Sequence, residues 1–465
     1  MRRWLYRHTE AVLFGLYFLC GAYVLYSGIS QRLFSYPPEG TDQRSMLECA
    51  LALVRGGVPA EQYRYSYGYT LFLAALALVS CGRLWLMRLL QLAVVSLIPP
   101  LVMRTARLLG FGRVPALVGA LLYAFYAPAL LVSLDFLRAA PLALAFLLQV
   151  YFICAARFRE RRGKSASAWW YAAAGLCAAL CVLGRENFLA VAFWPPLLMS
   201  VGKRWRSAAV YLTAAVPPLL AAVLFNGMFY GSFQLVPGNV GNIAGFYGGH
   251  GGTAETARNL FASIPGHLRD MCLSYELHNS LSVYAHRELV PLLRVLALPF
   301  NLLLALGALG ALLRIRERGA RLCALSVAAY FGSMAFFTVF YRFRIPAVPL
   351  LCVLAAGGVG ALVRLWKRRR FGMLAPCVAA VLIFCAFTAV DPNTRRAESE
   401  RAAVARIMIF NRKLDEAERY LDRMLEDGMS PRAELAALAR ALAEEGDAAG
   451  AQRAISRLQT LSKSR

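Results

Sequence analysis

Acidic residues are scarce in this chain: 26 Asp and Glu stand against 51 Lys and Arg, a formal net charge of +25. There are 5 histidines and 11 cysteines, but no CxxC pair and no Cys/His run at a metal-binding spacing, which excludes a zinc-finger or thioredoxin-like centre. No metal ligand set is therefore assigned. The glycines at 248, 249, 251 and 252 follow no strand and lead to no Lys-Ser or Lys-Thr, so a nucleotide-phosphate loop is excluded as well. No small-residue cleavage site follows the first apolar run, which reads as a retained signal anchor rather than a removed signal peptide.

What the chain has instead is apolar side chain. At 59% hydrophobic residues and a mean hydropathy of +0.52 over 465 residues, it carries more than a soluble domain of that size can bury. The fold class is all-α, a polytopic transmembrane helical bundle. The net positive charge would suggest nucleic acid in a soluble protein, but here Lys and Arg concentrate in short loops between apolar runs, the pattern that orients a membrane protein. No nucleic-acid partner is expected.

Apolar runs lie near 10–30, 84–103, 113–132, 137–156, 168–184, 187–201, 207–230, 291–313, 321–340, 345–363 and 372–390, which predicts about eleven spans of a hydrocarbon core about 30 Å thick. Basic segments then fall on one side: Arg2, Arg3 and Arg7, then Arg104/Arg107/Arg113, Arg157 to Lys164, Lys203/Arg204/Arg206, Arg314 to Arg321 and Arg364 to Arg370. By the positive-inside rule that side is cytoplasmic, and the N-terminus with it. The stretch Tyr69 to Cys81 is apolar but would reach only about 20 Å as a helix. Counting it as a span would invert every later loop, so it is expected to dip in from the outer surface and return. The same parity makes 168–201 a hairpin with Gly184-Arg185-Glu186-Asn187 at its outer turn.

Two outer loops are long. In 31–83, Met46, Leu47, Ala50, Leu51 and Val54 recur at helical spacing and suit an interfacial helix capped by Thr41 or Asp42. Residues 231–290 are rich in Gly, Asn, Tyr and His, which predicts an irregular loop over a site. The membrane domain is expected over 1–392. The remainder, 395–465, is charged and Ala-rich with no membrane run, a separate soluble module on the outer side. Its Lys413-Leu414-Asp415-Glu416-Ala417 and Gly446-Asp447-Ala448-Ala449-Gly450-Ala451 stand 34 residues apart at Ala417 and Ala451, which resembles tetratricopeptide repeats. Two repeats are few for a solenoid, so the tail is expected to lean on the membrane domain or on a protein partner.

The acidic residue after the first span, in Gly40-Thr41-Asp42-Gln43, is followed by the interfacial helix and then by Tyr67-Gly68-Tyr69. With Arg104 to Gly112, Ser133-Leu134-Asp135-Phe136-Leu137-Arg138, Tyr275-Glu276-Leu277-His278-Asn279 and Tyr341-Arg342-Phe343-Arg344-Ile345-Pro346, this order resembles the GT-C fold glycosyltransferases, in particular the protein O-mannosyltransferase and lipid A aminoarabinose transferase group. The resemblance covers most of residues 1–390. It implies a glycosyltransferase that takes a sugar from a polyprenyl-phosphate carrier. The acceptor would be a protein, lipid or glycan. Many relatives carry two adjacent acidic residues where this chain has Asp42-Gln43, and commonly Glu where it has Asp135, so a metal bridged by an acidic pair is not expected. No cofactor is assigned, with a divalent cation left open.

The chemistry would set a base and a phosphate clamp at the membrane edge. Asp42 would remove the proton of an acceptor hydroxyl, and Arg138, Arg342 or Arg344 would stabilise the departing phosphate, since a guanidinium contacts phosphate through two donors. Asp135, Glu276 and His278 are further candidate substrate contacts. Each has a plainer reading. Asp42 would serve only as a cap, Asp135 and Arg138 as an ion pair on one helical turn, Arg185 and Glu186 as a turn pair, and Glu276 and His278 as solvated loop residues. Tyr63, Tyr65, Tyr67 and Tyr69 would stack on sugars or simply mark the interface. The competing functions are a transporter or lipid flippase, and an assembly scaffold displaying the tail. The expected location is the bacterial inner membrane, with the tail periplasmic.

Overall fold

The computed structural model describes residues 2–30, 34, 36–37, 41–57, 67–163, 168–231, 233, 235, 253–277, 283–336, 339–390 and 395–463. Among these the chain is helical throughout, with one isolated bridged pair, Tyr126 and Ala297, in place of any sheet. It is an all-α, multi-pass membrane protein. Among the described residues six helices are long and apolar enough to cross a bilayer: His8–Ser30, Leu84–Leu108, Ala139–Arg161, Trp205–Tyr230, Tyr341–Lys367 and Phe371–Thr388. The other expected spans map to shorter helices, including Arg113–Ala124, Ala168–Gly184 and Phe300–Arg314.

Polar contacts at the ends of the helices fix their order between two faces. Arg104 binds Glu10, and Arg113 donates to Thr9 at 3.0 Å, so the far end of Leu84–Leu108 and the start of Arg113–Ala124 lie beside the start of the first helix. At the other end, Asn301 donates to Thr388 Oγ1 at 3.1 Å and Ser274 N to the Thr388 carbonyl at 2.9 Å. Asp42, Asp135, Arg185 and Arg342 collect at this second face. Small residues let the helices approach closely. A Cβ at Gly310 would lie 1.9 Å from the Leu354 carbonyl oxygen, so only glycine permits the crossing of Phe300–Arg314 with Val348–Lys367.

The short Tyr67–Val79 helix behaves as its length requires. A turn through Gly82, in the left-handed region at φ +73°, hands it directly to Leu84, so it begins and ends at the Asp42 face. The Asp42–Val54 helix lies along it, with Met46, Leu47 and Ala50 buried against Leu73, Ala74 and Ala77. Its apolar stripe therefore meets protein.

Two expectations need correction. The expected span 291–313 is broken at the Ala297 bridge: one helical turn, Leu292–Val295, precedes the break, and the longer helix begins at Phe300, after Pro299. The irregular loop 231–290 contains a 20-residue helix, Thr253–Cys272, because Leu260, Ile264, Leu268 and Met271 recur at helical spacing behind the glycines. The glycine run itself, with Tyr63 and Tyr65, lies outside the described residues.

The tail forms four antiparallel helices, Arg395–Phe410, Leu414–Glu426, Arg432–Glu444 and Ala448–Lys463, around their own core, which includes Leu421, Leu435, Leu438 and Ala454. Ala417 and Ala451 are both buried in it. Leu289 of the membrane domain packs against this core, so the tail leans on the Asp42 face.

Candidate active site

Asp42 opens its helix, but Thr41 caps it: the Thr41 hydroxyl accepts from Arg44 N at 3.4 Å. Capping therefore leaves the Asp42 carboxylate available. One of its oxygens, Oδ2, accepts from Arg342 Nη2 at 2.7 Å, a pair joined across 300 residues. The arginine side chain is 9% exposed and the aspartate 51%, so the pair has a buried cationic side and an open anionic side. Arg342 Nε is buried and has no hydrogen-bond partner among the described residues.

Two more arginines converge here. Arg185 stacks over the Phe343 ring at 3.8 Å, and Arg342 faces the same ring at 5.2 Å. Arg138 donates to the Gly184 carbonyl at 3.0 Å and lies in the field of Arg185, Asp42, Arg342 and Glu186. Burial, then repulsion from Arg185, pulls the Arg138 guanidinium down to about 10. Arg185 is lowered mainly by burial, with Arg342 adding repulsion. Burial raises Glu186 above the usual carboxylate value against the pull of both arginines. Like charges are being held together at a membrane face, an arrangement that an anion would relieve.

Asp135 is buried behind this cluster. Its Oδ2 accepts from Gln43 Nε2 at 2.9 Å and its Oδ1 from Phe136 N at 2.8 Å. No ion pair joins it to Arg138 among the described residues, so the one-turn pairing does not form. An acidic residue at position 43 would have faced Asp135 with like charge; the glutamine amide supplies a donor instead. Gln91 fastens the same loop, donating to the Ser133 and Asp135 carbonyls at 2.9 and 2.7 Å while accepting from Tyr69 at 2.9 Å.

Arg344 and Glu276 sit apart from the Asp42 cluster. Arg344 is 1% exposed and donates to the carbonyls of Asp270, Leu273 and Tyr275 at 2.6, 3.0 and 3.2 Å, closing the end of the Thr253–Cys272 helix. Its guanidinium stands over Phe300 at 4.7 Å and lies 3.7 Å from Glu276. Glu276, expected in a solvated loop, is buried and accepts from Tyr126 at 2.8 Å. Contact with a substrate would require either residue to give up these partners. His278 lies outside the described residues.

Tyr67 and Tyr69 point inward. Tyr67 donates to Asn226 and Tyr69 to Gln91, and both rings are buried. Between them, a Cβ at Gly68 would meet the Leu180 carbonyl oxygen at 3.2 Å, which is why the Tyr-Gly-Tyr element can seat against Ala168–Gly184. Below Arg138 an apolar cavity of about 220 Å³ runs along Tyr69, Phe72, Leu142 and Leu180.

Sequence reading did not single out Arg88 or Gln91, noted Gln43 only as a departure from an acidic pair, and took Arg185 and Glu186 for a turn pair. Arg88 carried a usable signal as the lone charge in the 84–103 run, where an ionisable residue is a functional or structural anchor by default. It is 2% exposed, donates to the Phe34 carbonyl at 2.9 Å and packs over Phe136 at 4.3 Å. Among the described residues no group of three or more His, Cys, Asp or Glu is disposed to hold a metal ion.

No family model and no curated protein matches the chain. Among solved structures it is similar to ArnT from Cupriavidus metallidurans in the apo state, at 16% identity over 99% of this chain and 76% of that one, with a TM-score of 0.49. It is likewise similar to the same ArnT bound to undecaprenyl phosphate, at 15% identity over 98% and 76% of the two chains, with a TM-score of 0.46. At such values the chemistry has to be read from the side chains.

Proposed function

We propose that the protein is a membrane glycosyltransferase that moves a sugar from a polyprenyl-phosphate carrier to an acceptor hydroxyl, with Asp42 as general base. The observation that carries this reading is the pairing of a half-exposed Asp42 with a buried Arg342 at the membrane edge, beside Arg138 and Arg185. A carrier-linked sugar has its tail in lipid and its scissile bond at that depth. The apolar cavity along Phe72, Leu142 and Leu180 begins within one turn of Arg138 and suits the first isoprene units.

In the reaction the acceptor oxygen attacks the anomeric carbon while Asp42 takes its proton. The bond between that carbon and the phosphate oxygen breaks, and the electron pair leaves with the polyprenyl phosphate. The phosphate goes from one negative charge to two, so cations fixed beforehand stabilise the transition state more than the ground state. Arg342 supplies a donor at Nε, and Arg138 and Arg185 supply positive field. Arg342 also orients Asp42 through one oxygen, leaving the other for the acceptor.

The basic loops on the opposite face support a cytoplasmic assignment for that face, and therefore an outward-facing site and tail in a bacterial inner membrane. The test is transfer from a polyprenyl-phosphate-linked sugar in nanodiscs. Asp42→Asn at matched protein level should lower turnover by roughly 10²–10⁴ while donor binding persists. Normal turnover by that variant overturns the reading.

A further inference from the structure

The face opposite Asp42 holds a second cavity, of about 380 Å³, which the transfer reaction does not use. Arg138 stands at one end of the 23-residue Ala139–Arg161 helix and Arg157 and Arg161 at the other, which separates the cavity from the Asp42 cluster by about 34 Å. The cavity lies between that helix end, the end of Leu84–Leu108 and the turn that opens Arg318–Met334.

Its lining is cationic on one side. Arg157, Arg161, Arg316 and Arg318 face one carboxylate, Glu317, which is already paired with Arg314. Elsewhere on this face arginines are neutralised inside the protein: Arg104 binds Glu10 and Arg204 binds Glu160. Among the described residues the four lining arginines form no ion pair, and Arg157 Nε is buried without a hydrogen-bond partner. Bringing four guanidinium groups around one hollow costs repulsion that a bound anion removes.

The other wall is apolar, formed by Leu108, Leu109, Phe158 and Leu322. A soluble anion gains nothing from that wall. A phospholipid presents a phosphate and, immediately beside it, the start of two acyl chains, and the cavity sits where membrane-crossing helices end. We propose that this cavity binds the phosphate of an anionic phospholipid headgroup from the adjoining leaflet, tying the Ala139–Arg161 and Arg318–Met334 helices together from the side opposite the reaction.

The experiment uses the full chain purified in detergent and titrated with dioleoylphosphatidylglycerol, dioleoylphosphatidylcholine or inorganic phosphate, with binding read by native mass spectrometry and by thermal shift. Phosphatidylglycerol should bind and stabilise the wild type, and its affinity should fall at least about tenfold in Arg157→Gln/Arg316→Gln. Arg316→Gln/Arg318→Gln, altered only at exposed side chains, serves where the first variant does not fold, and should lose affinity likewise. Arg368→Gln/Arg370→Gln, on the same face but outside the cavity, should bind as the wild type does. Equal phosphatidylglycerol affinity in the cavity variants overturns the proposal. So does equal stabilisation by phosphatidylcholine, which carries no net charge, or by inorganic phosphate, which would make the occupant a soluble anion. Transfer activity is not the readout, so failure here and failure of the Asp42 chemistry are distinguishable.

Discussion

Arg342 and Arg344 are two residues apart in one short helix, and each meets a carboxylate, yet the two pairs are different objects. Arg342 reaches Asp42, half-exposed, in a setting of surplus positive charge. Arg344 reaches Glu276 in an enclosed setting where three carbonyls and a tyrosine hydroxyl complete the arrangement. Residues two apart on a helical turn point about 200° from each other, so one side chain faces the membrane-edge hollow and its neighbour faces the core. A buried charge pair closed in by carbonyls and a tyrosine hydroxyl holds structure together, although Arg344 Nε, like Arg342 Nε, has no hydrogen-bond partner among the described residues. A pair with one open oxygen and a surplus of cations retains capacity for a ligand.

The comparison breaks first at Asp42. Asp42→Asn should lower turnover by roughly 10²–10⁴ with little change in stability, measured as transfer rate beside thermal melting. The opposite signature is expected of Arg344→Ala, which strands a buried Glu276 and three carbonyls and should cost roughly 3–5 kcal/mol, seen as loss of folded protein in detergent. If Arg344→Ala folds normally and merely slows transfer, the division between the pairs is wrong. Arg342→Ala should slow turnover by about 10²–10³ while keeping the fold, because it removes charge stabilisation of the leaving phosphate. Gln43→Leu removes a donor from buried Asp135 and should cost about 1–3 kcal/mol in melting experiments, with a smaller effect on rate.

The smallest effect belongs to the tail. Hydrogen bonds from Arg453, then Arg457, hold the Glu418 carboxyl below its usual 4.5. A depressed carboxylate stabilises the fold above its unfolded value and loses that contribution as pH falls through the folded value. Acidification below about pH 4.5 should therefore loosen the contact of Leu414–Glu426 with Ala448–Lys463 by no more than about 1 kcal/mol. Hydrogen exchange corrected for intrinsic rates would read this, and Glu418→Gln should remove the dependence.

Much of the fold was legible because membrane crossing imposes length and apolarity on each helix. The Tyr67–Val79 dip followed from being too short to cross, and the turn at Arg185 from the parity of the basic loops. Asp42 stood out by its position after the first span and the family resemblance carried there, with a helix cap as its rival. Arg185 did not, since a charged pair at a turn is the common case and its stacking on Phe343 joins residues far apart in the chain. The buried place of Glu276 was hidden for the same reason, its partners lying at 126 and 344.

By itself the sequence determined that this is a multi-pass bundle of apolar helices with a charged helical tail, because hydropathy is a local property that a bilayer reads directly. Which carboxylate stays open and which is sealed was decided only when distant helices packed. Burial and pairing of a charge depend on neighbours that the order of residues does not specify.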